Sequence, residues 1–168
     1  MPRILLINDT AKPIGDLRAA LVAAGHEVFD GIEGPTALLR AVETHRPDVV
    51  ILDVDSPSRD TLEQLAMLHR HAPRPVVMFS ANDDEQLIRA AVGAGVAAYV
   101  VDGLAPSRLR PIIQLALARF EQEAQLRQQL EGVQQQLRFF EARDRFETDA
   151  DRDLLPHWHR RALREGRR

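Results

Sequence analysis

Val49 to Leu52 is an unbroken apolar run that stops at a carboxylate, Asp53, with a second acid at Asp55 and a Ser56-Pro57 loop signal behind it. Four consecutive apolar residues, rather than alternating ones, suit a strand buried on both faces, as in a parallel sheet covered by helices. In open sheets of that kind, ligands bind beyond the carboxyl ends of the strands. Asp53 stands at such an end.

The rest of the chain repeats this unit. Ile4 to Ile7 is a branched apolar run ending in Asn8-Asp9, and Pro13 to Ala24 carries Ile14, Leu17, Leu21 and Ala24 at helical spacing before Gly25. Val28-Phe29 is a short strand closed by Gly31, and Pro35 to His45 places Leu38, Leu39 and Val42 on one helix face before Arg46-Pro47. Thr61 to Leu68 has helical spacing again, and Pro73 and Pro75 precede a strand from Val76 to Phe79 that ends in Ser80. Asp83 to Val92 predicts a helix, and Ala97 to Val101 a strand ending in Asp102. Five strands alternating with helices predict a doubly wound parallel sheet with right-handed crossovers.

From Leu109 onward one 3-4 spacing runs through Leu109, Ile112, Ala116, Leu126, Leu130, Val133, Leu137 and Phe140, with Arg119 and Glu123 in the same phase. It predicts a last helix that packs on the sheet and continues as a coiled coil. Pro111 predicts a kink or a late start of that helix. The expected organisation is a domain over residues 1–120, a coiled-coil extension over 121–142 and a poorly ordered tail over 143–168, where the apolar spacing dissolves and Pro156 breaks any helix.

Composition narrows the chemistry. There is no cysteine, so disulfides, thiol nucleophiles and thiolate metal sites are excluded. A net charge of −3 gives no overall pull toward nucleic acid or an anionic membrane. No stretch reaches the ~18 apolar residues of a membrane helix, and the expected location is the cytoplasm. The single lysine is Lys12; the other basic residues are arginines. His69 and His71 point to different helix faces, and His157-Trp158-His159 and the terminal arginines read as surface residues.

In a doubly wound sheet the tips of strands one, three, four and five converge, bringing together Asp9, Asp53 with Asp55, Ser80 and Asp102. Two carboxylates ~4 Å apart repel by about 4 kcal/mol at an effective dielectric near 20. A hard cation such as Mg²⁺ relieves that repulsion, and a carboxylate so placed is able to accept a phosphoryl group. Asp53-Val54-Asp55 also fits the acid pair of haloacid-dehalogenase-type phosphohydrolases. Such an enzyme needs a downstream lysine, and none follows Lys12.

The stretches LLIND, VVILDVDSP, VVMFSA and GVAAYVVDG, in this order, resemble the response-regulator receiver domain over about Met1 to Phe120. ILDVDSPSRDTLE, APRPVVMFS, AAVGAGVAAYVVDGLAP and RLRPIIQLALARFE are similar to the receivers of AmiR/NasT-type regulators. The resemblance implies a flavodoxin-like (βα)5 receiver whose last helix extends into a coiled coil. It implies Asp53 as phospho-acceptor, with Asp9, Asp53 and the backbone carbonyl of Asp55 as Mg²⁺ ligands. Ser80 takes the switch hydroxyl position and Tyr99 the switch aromatic position.

Two positions depart from the receiver pattern. Asn8 replaces the first acid of the usual pair, and Asp102 stands where receivers carry a lysine that neutralises the phosphoryl group. Lys12 is the candidate substitute cation. The resemblance further implies a non-enzymatic regulator controlled by a sensor histidine kinase or a sequestering sensor protein, and a homodimer formed through the 109–140 helix. Asp102 tilts this toward the sequestering mechanism. RNA contact in transcription antitermination is implied by the AmiR/NasT resemblance, but no ANTAR-like pattern is visible past Phe140. The alternative is an interaction module without catalysis.

Overall fold

The computed structural model describes residues 1–9, 15–31, 37–101 and 106–154. Five parallel strands, β1 (Arg3–Asp9), β2 (Glu27–Gly31), β3 (Val49–Val54), β4 (Val76–Ser80) and β5 (Ala98–Val101), form one sheet in the order β2-β1-β3-β4-β5. Between and after them lie α1 (Gly15–Ala23), α2 (Leu38–His45), α3 (Arg59–His71), α4 (Glu85–Gly93) and α5 (Pro106–Leu154).

Successive strand residues face opposite sides, and the core divides accordingly. On one face Leu5, Ile7, Val50, Leu52, Val54, Val76 and Met78 pack with Leu38 and Val42 of α2, Leu65 and Leu68 of α3 and Ala91 of α4. On the other, Ile4, Leu6, Val49, Ile51, Val77 and Phe79 pack with Leu21 of α1 and Leu109, Ile113 and Ala116 of α5. The apolar run of β3 is explained by this double burial, since both of its faces are covered.

Tight turns feed the strands. Gly95 adopts φ +103, and a Cβ there would meet the His69 ring at 2.8 Å, so α3 leaves room only for glycine before β5. Arg46 closes α2 in the left-handed region at φ 46, with its N–H donating to Val42 O. Arg74 then ties the loops at the amino end of the sheet, donating from Nε to Pro47 O and from an Nη to Pro73 O, both at 2.8 Å. Nearby, Asp48 accepts from the Arg3 N–H at 2.7 Å, and Arg3 Nε meets Glu27 at 3.2 Å.

Helix α5 departs from expectation in three ways. It begins at Pro106 and runs through Pro111, so of the two outcomes expected of Pro111 the late start does not occur; Pro106 suits the first helical position because its missing N–H has no intrahelical acceptor there. It continues to Leu154, so residues 143–154, expected to be poorly ordered, are helical. The remainder of that tail lies outside the described residues.

The part of the apolar line that meets the sheet is also shifted by one residue. Leu109, Ile113 and Ala116 are buried on the sheet, with Ile113 rather than Ile112 fully covered. Two compact units divide the chain at Gln122 and Glu123. In the second, Leu126, Leu130, Val133, Leu137 and Phe140 are each 53–59% exposed.

Candidate functional site at the carboxyl end of the sheet

Asp53 is the fifth residue of β3, paired in register with Asn8 on one side and Phe79 on the other. The buried apolar residues before it fix its backbone, and the chain turns away two residues later. Its side chain is half-buried, and Asp55 lies exposed in the following loop. Burial raises the Asp53 carboxyl from its ordinary value, and the neighbouring Asp55 charge raises it further. Among the described residues no basic side chain pairs with it.

The loop after Asp55 becomes α3 through Ser58, whose Oγ accepts from Thr61 N–H at 3.1 Å as an N-cap. Ser80, at the tip of β4 and 4% exposed, donates from Oγ to the Asp55 carbonyl at 3.0 Å. Asn82 follows. Its N–H donates to Ser80 Oγ at 3.1 Å, its Nδ2 to Ser56 Oγ at 3.0 Å, and its carbonyl accepts from the Tyr99 hydroxyl at 2.8 Å. Asp84 then caps α4, accepting from Leu87 N–H at 3.0 Å.

The fold thus brings Asp53, Asp55, Ser80 and Tyr99 to one end, the last two linked through Asn82. Asp9 ends β1 opposite Val54 in register, one residue beyond the Asn8–Asp53 pair. Its side chain, like the whole of Lys12 and Asp102, lies outside the described residues. Asn82 escaped the sequence reading, and Ser56 entered it only as a loop signal. Asn82 two residues before the Asp84 cap does signal a side-chain turn, but nothing local to Ser56 announces a bond across 26 positions.

The donor chemistry fits a hard divalent cation. A half-buried carboxylate of raised proton affinity beside a second acid is relieved by positive charge, and Mg²⁺ takes carboxylate and carbonyl oxygens. Among the described residues no three acid or histidine side chains form a complete ligand set. Among the described residues, Asp53 and the Asp55 carbonyl are the oxygens that would hold such an ion; Asp9 is added by the resemblance alone.

Comparison with known proteins gives consistent answers. Residues 4–114 match the Response regulator receiver domain family. The chain is 32% identical over 120 residues to the transcriptional regulatory protein PdtaR of Mycobacterium tuberculosis (strain ATCC 25618 / H37Rv), covering 71% of this chain and 58% of that protein. It is 31% identical over 119 residues to the KDP operon transcriptional regulatory protein KdpE of Escherichia coli (strain K12), covering 71% and 52%. It therefore spans little more than half the length of these relatives.

In fold it is similar to the signal receiver domain of a modulated diguanylate cyclase from Desulfovibrio desulfuricans G20, with a TM-score of 0.63 at 21% identity over 73% of this chain and 98% of that one. A CheY-like receiver protein from Methanospirillum hungatei JF-1 gives 0.62 at 22% identity, with coverage of 73% and 98%. These two likenesses speak to the fold.

Proposed function

This chain belongs to the response-regulator receiver family, and from that premise we propose that it is a non-enzymatic signalling regulator of the AmiR/NasT type. A sensor partner acts at the Asp53 end of the sheet, and α5 mediates self-association. The observation that carries the reading is the half-buried Asp53 at the tip of the central strand, beside Asp55 and one strand from the Ser80 hydroxyl, which donates to the Asp55 carbonyl. The relatives' names support transcriptional regulation as the output, and RNA enters only through the AmiR/NasT resemblance.

In the phosphorylated form of this reading, an Asp53 carboxylate oxygen attacks the phosphorus of a phosphodonor. A bond to phosphorus forms as the donor's P–O or P–N bond breaks and the donor group departs. Ser80 Oγ is placed to turn from the Asp55 carbonyl toward the new phosphoryl oxygens. A bound divalent cation would supply charge neutralisation there. Asp102 replaces the lysine that would otherwise share this task, which favours control by a sequestering sensor protein. Lys12 is the candidate substitute cation.

Self-association rests on the exposed line from Leu126 to Phe140. Fully burying a leucine side chain is worth about 1.5–3 kcal/mol, and a second copy supplies a matching line at coiled-coil spacing. Among the described residues no helix is long and apolar enough to cross a membrane.

Mass spectrometry after treatment with acetyl phosphate and Mg²⁺, run beside light scattering, tests both halves. One phosphoryl group on the wild type and none on Asp53→Asn is the phosphorylated outcome. An unlabelled dimer favours the second reading, an interaction module without phosphoryl chemistry. A monomer at high protein concentration overturns the α5 assignment.

A further inference from the structure

Asn82 uses every polar group it has, and each reaches a different element. The N–H meets Ser80 at the tip of β4, the side-chain amide meets Ser56 in the β3–α3 loop, and the carbonyl meets Tyr99 on β5. The remaining group, Oδ1, accepts from Asp84 N–H at 2.9 Å at the start of α4. A backbone N–H can only donate, so the side-chain atom facing Asp84 is the oxygen, and the amide nitrogen is left for Ser56. Alanine would lose two of these bonds, and glutamine carries its amide one carbon too far for both.

We propose that Asn82 is a positioning residue: through its Ser56 bond it clasps the loop that follows Asp53 to the loop that carries Ser80, and thereby sets where Tyr99 sits relative to Asp53. The assignment rests on the reading of the Asp53 end as the signalling site. The Ser56 link is the sole side-chain bond between the two loops among the described residues apart from Ser80 to the Asp55 carbonyl. The Asp55 carbonyl therefore lies between two ties, one on itself and one on the next residue. Displacing either shifts the carbonyl that the metal would use, and the same displacement reaches the Tyr99 hydroxyl through the Asn82 backbone.

Tyr99 is the chain's single tyrosine, so protein grown with ring-¹³C tyrosine gives one set of ring signals in NMR. In the untreated protein, Ser56→Ala should move those signals although Ser56 makes no bond to Tyr99. Asn82→Ala should move them the same way and further, and the double variant should match Asn82→Ala alone because both remove one link. Asn82→Asp should restore most of the wild-type position, since the Ser56 hydroxyl is able to donate to a carboxylate.

A second arm adds MgCl₂ with beryllofluoride, a phosphoryl mimic. The wild-type Tyr99 signals should move, and the movement should fall at least two-fold in Ser56→Ala. Unmoved signals in untreated Ser56→Ala overturn the clasp, as does an undiminished response in the second arm. A wild type that ignores beryllofluoride overturns the reading of Asp53 instead, and the untreated arm then decides the role of Asn82 by itself.

Discussion

At the amino end of the sheet, Arg3 and Arg74 spend their guanidinium groups on loop carbonyls and carboxylates, holding the strand entrances together. At the carboxyl end, two acids stand with no basic partner on Asp53 among the described residues, and the ties between loops are neutral bonds among Ser56, Ser80, Asn82 and Tyr99. The first arrangement satisfies its own charges. The second leaves a carboxylate partly desolvated and repelled, a state that an added cation or a changed protonation improves. Among the described residues, one end of the same strands is thus held by charged ties, and the other carries a carboxylate of raised proton affinity, the kind of perturbed group that marks a candidate site.

The strand joining the two ends sets the scale for breaking this contrast. Leu52→Ala, at a fully buried position one residue before Asp53, should destabilise the fold by about 2–5 kcal/mol in denaturant unfolding. A smaller loss would mean that the core collapses around the cavity. At the amino end, Arg74→Ala removes two hydrogen bonds to carbonyls and should cost about 1–3 kcal/mol. It should leave acetyl-phosphate labelling of Asp53 unchanged. A change in labelling would show that the two ends are not independent.

Asp53→Asn gives the smallest effect and one of opposite sign. The folded carboxyl is raised relative to the unfolded chain, so the folded state holds its proton more tightly, and wild-type stability falls as pH rises from the unfolded value through the folded one. The amide cannot ionise and escapes that loss. The variant should therefore melt higher than wild type at pH 7 without metal, and the gap should close as pH falls below the ordinary carboxylate range. Because Asp53 is only half-buried, solvent screens the effect and keeps it modest. Added Mg²⁺ should raise the wild-type melting temperature more than that of the variant. An equal rise in both would place the ion elsewhere.

Much of this molecule is legible in its residues. The unbroken apolar runs of β1, β3 and β4 require burial on both faces, and helical spacing between them leaves a parallel, doubly wound sheet as the economical solution. Because each run ends in a polar residue, the pattern itself places Asp53 and Ser80 at one edge of the sheet. The length of α5 was less legible. Residues 143–154 carry mixed charges without an apolar stripe, and half of them are weak helix formers such as aspartate and threonine, but extending a helix that already leads into them needs no new nucleus.

Sequence alone determined the strands, their direction and which acids stand at their tips, because periodicity and burial act within a few residues. Tertiary structure decided that Ile113 rather than Ile112 is the residue of α5 fully covered beside Leu109 and Ala116. It also decided that Asn82 reaches Ser56 and Tyr99 at once, since those partners lie 26 and 17 positions away. Local pattern carries no record of such distances; the register of parallel strands sets them.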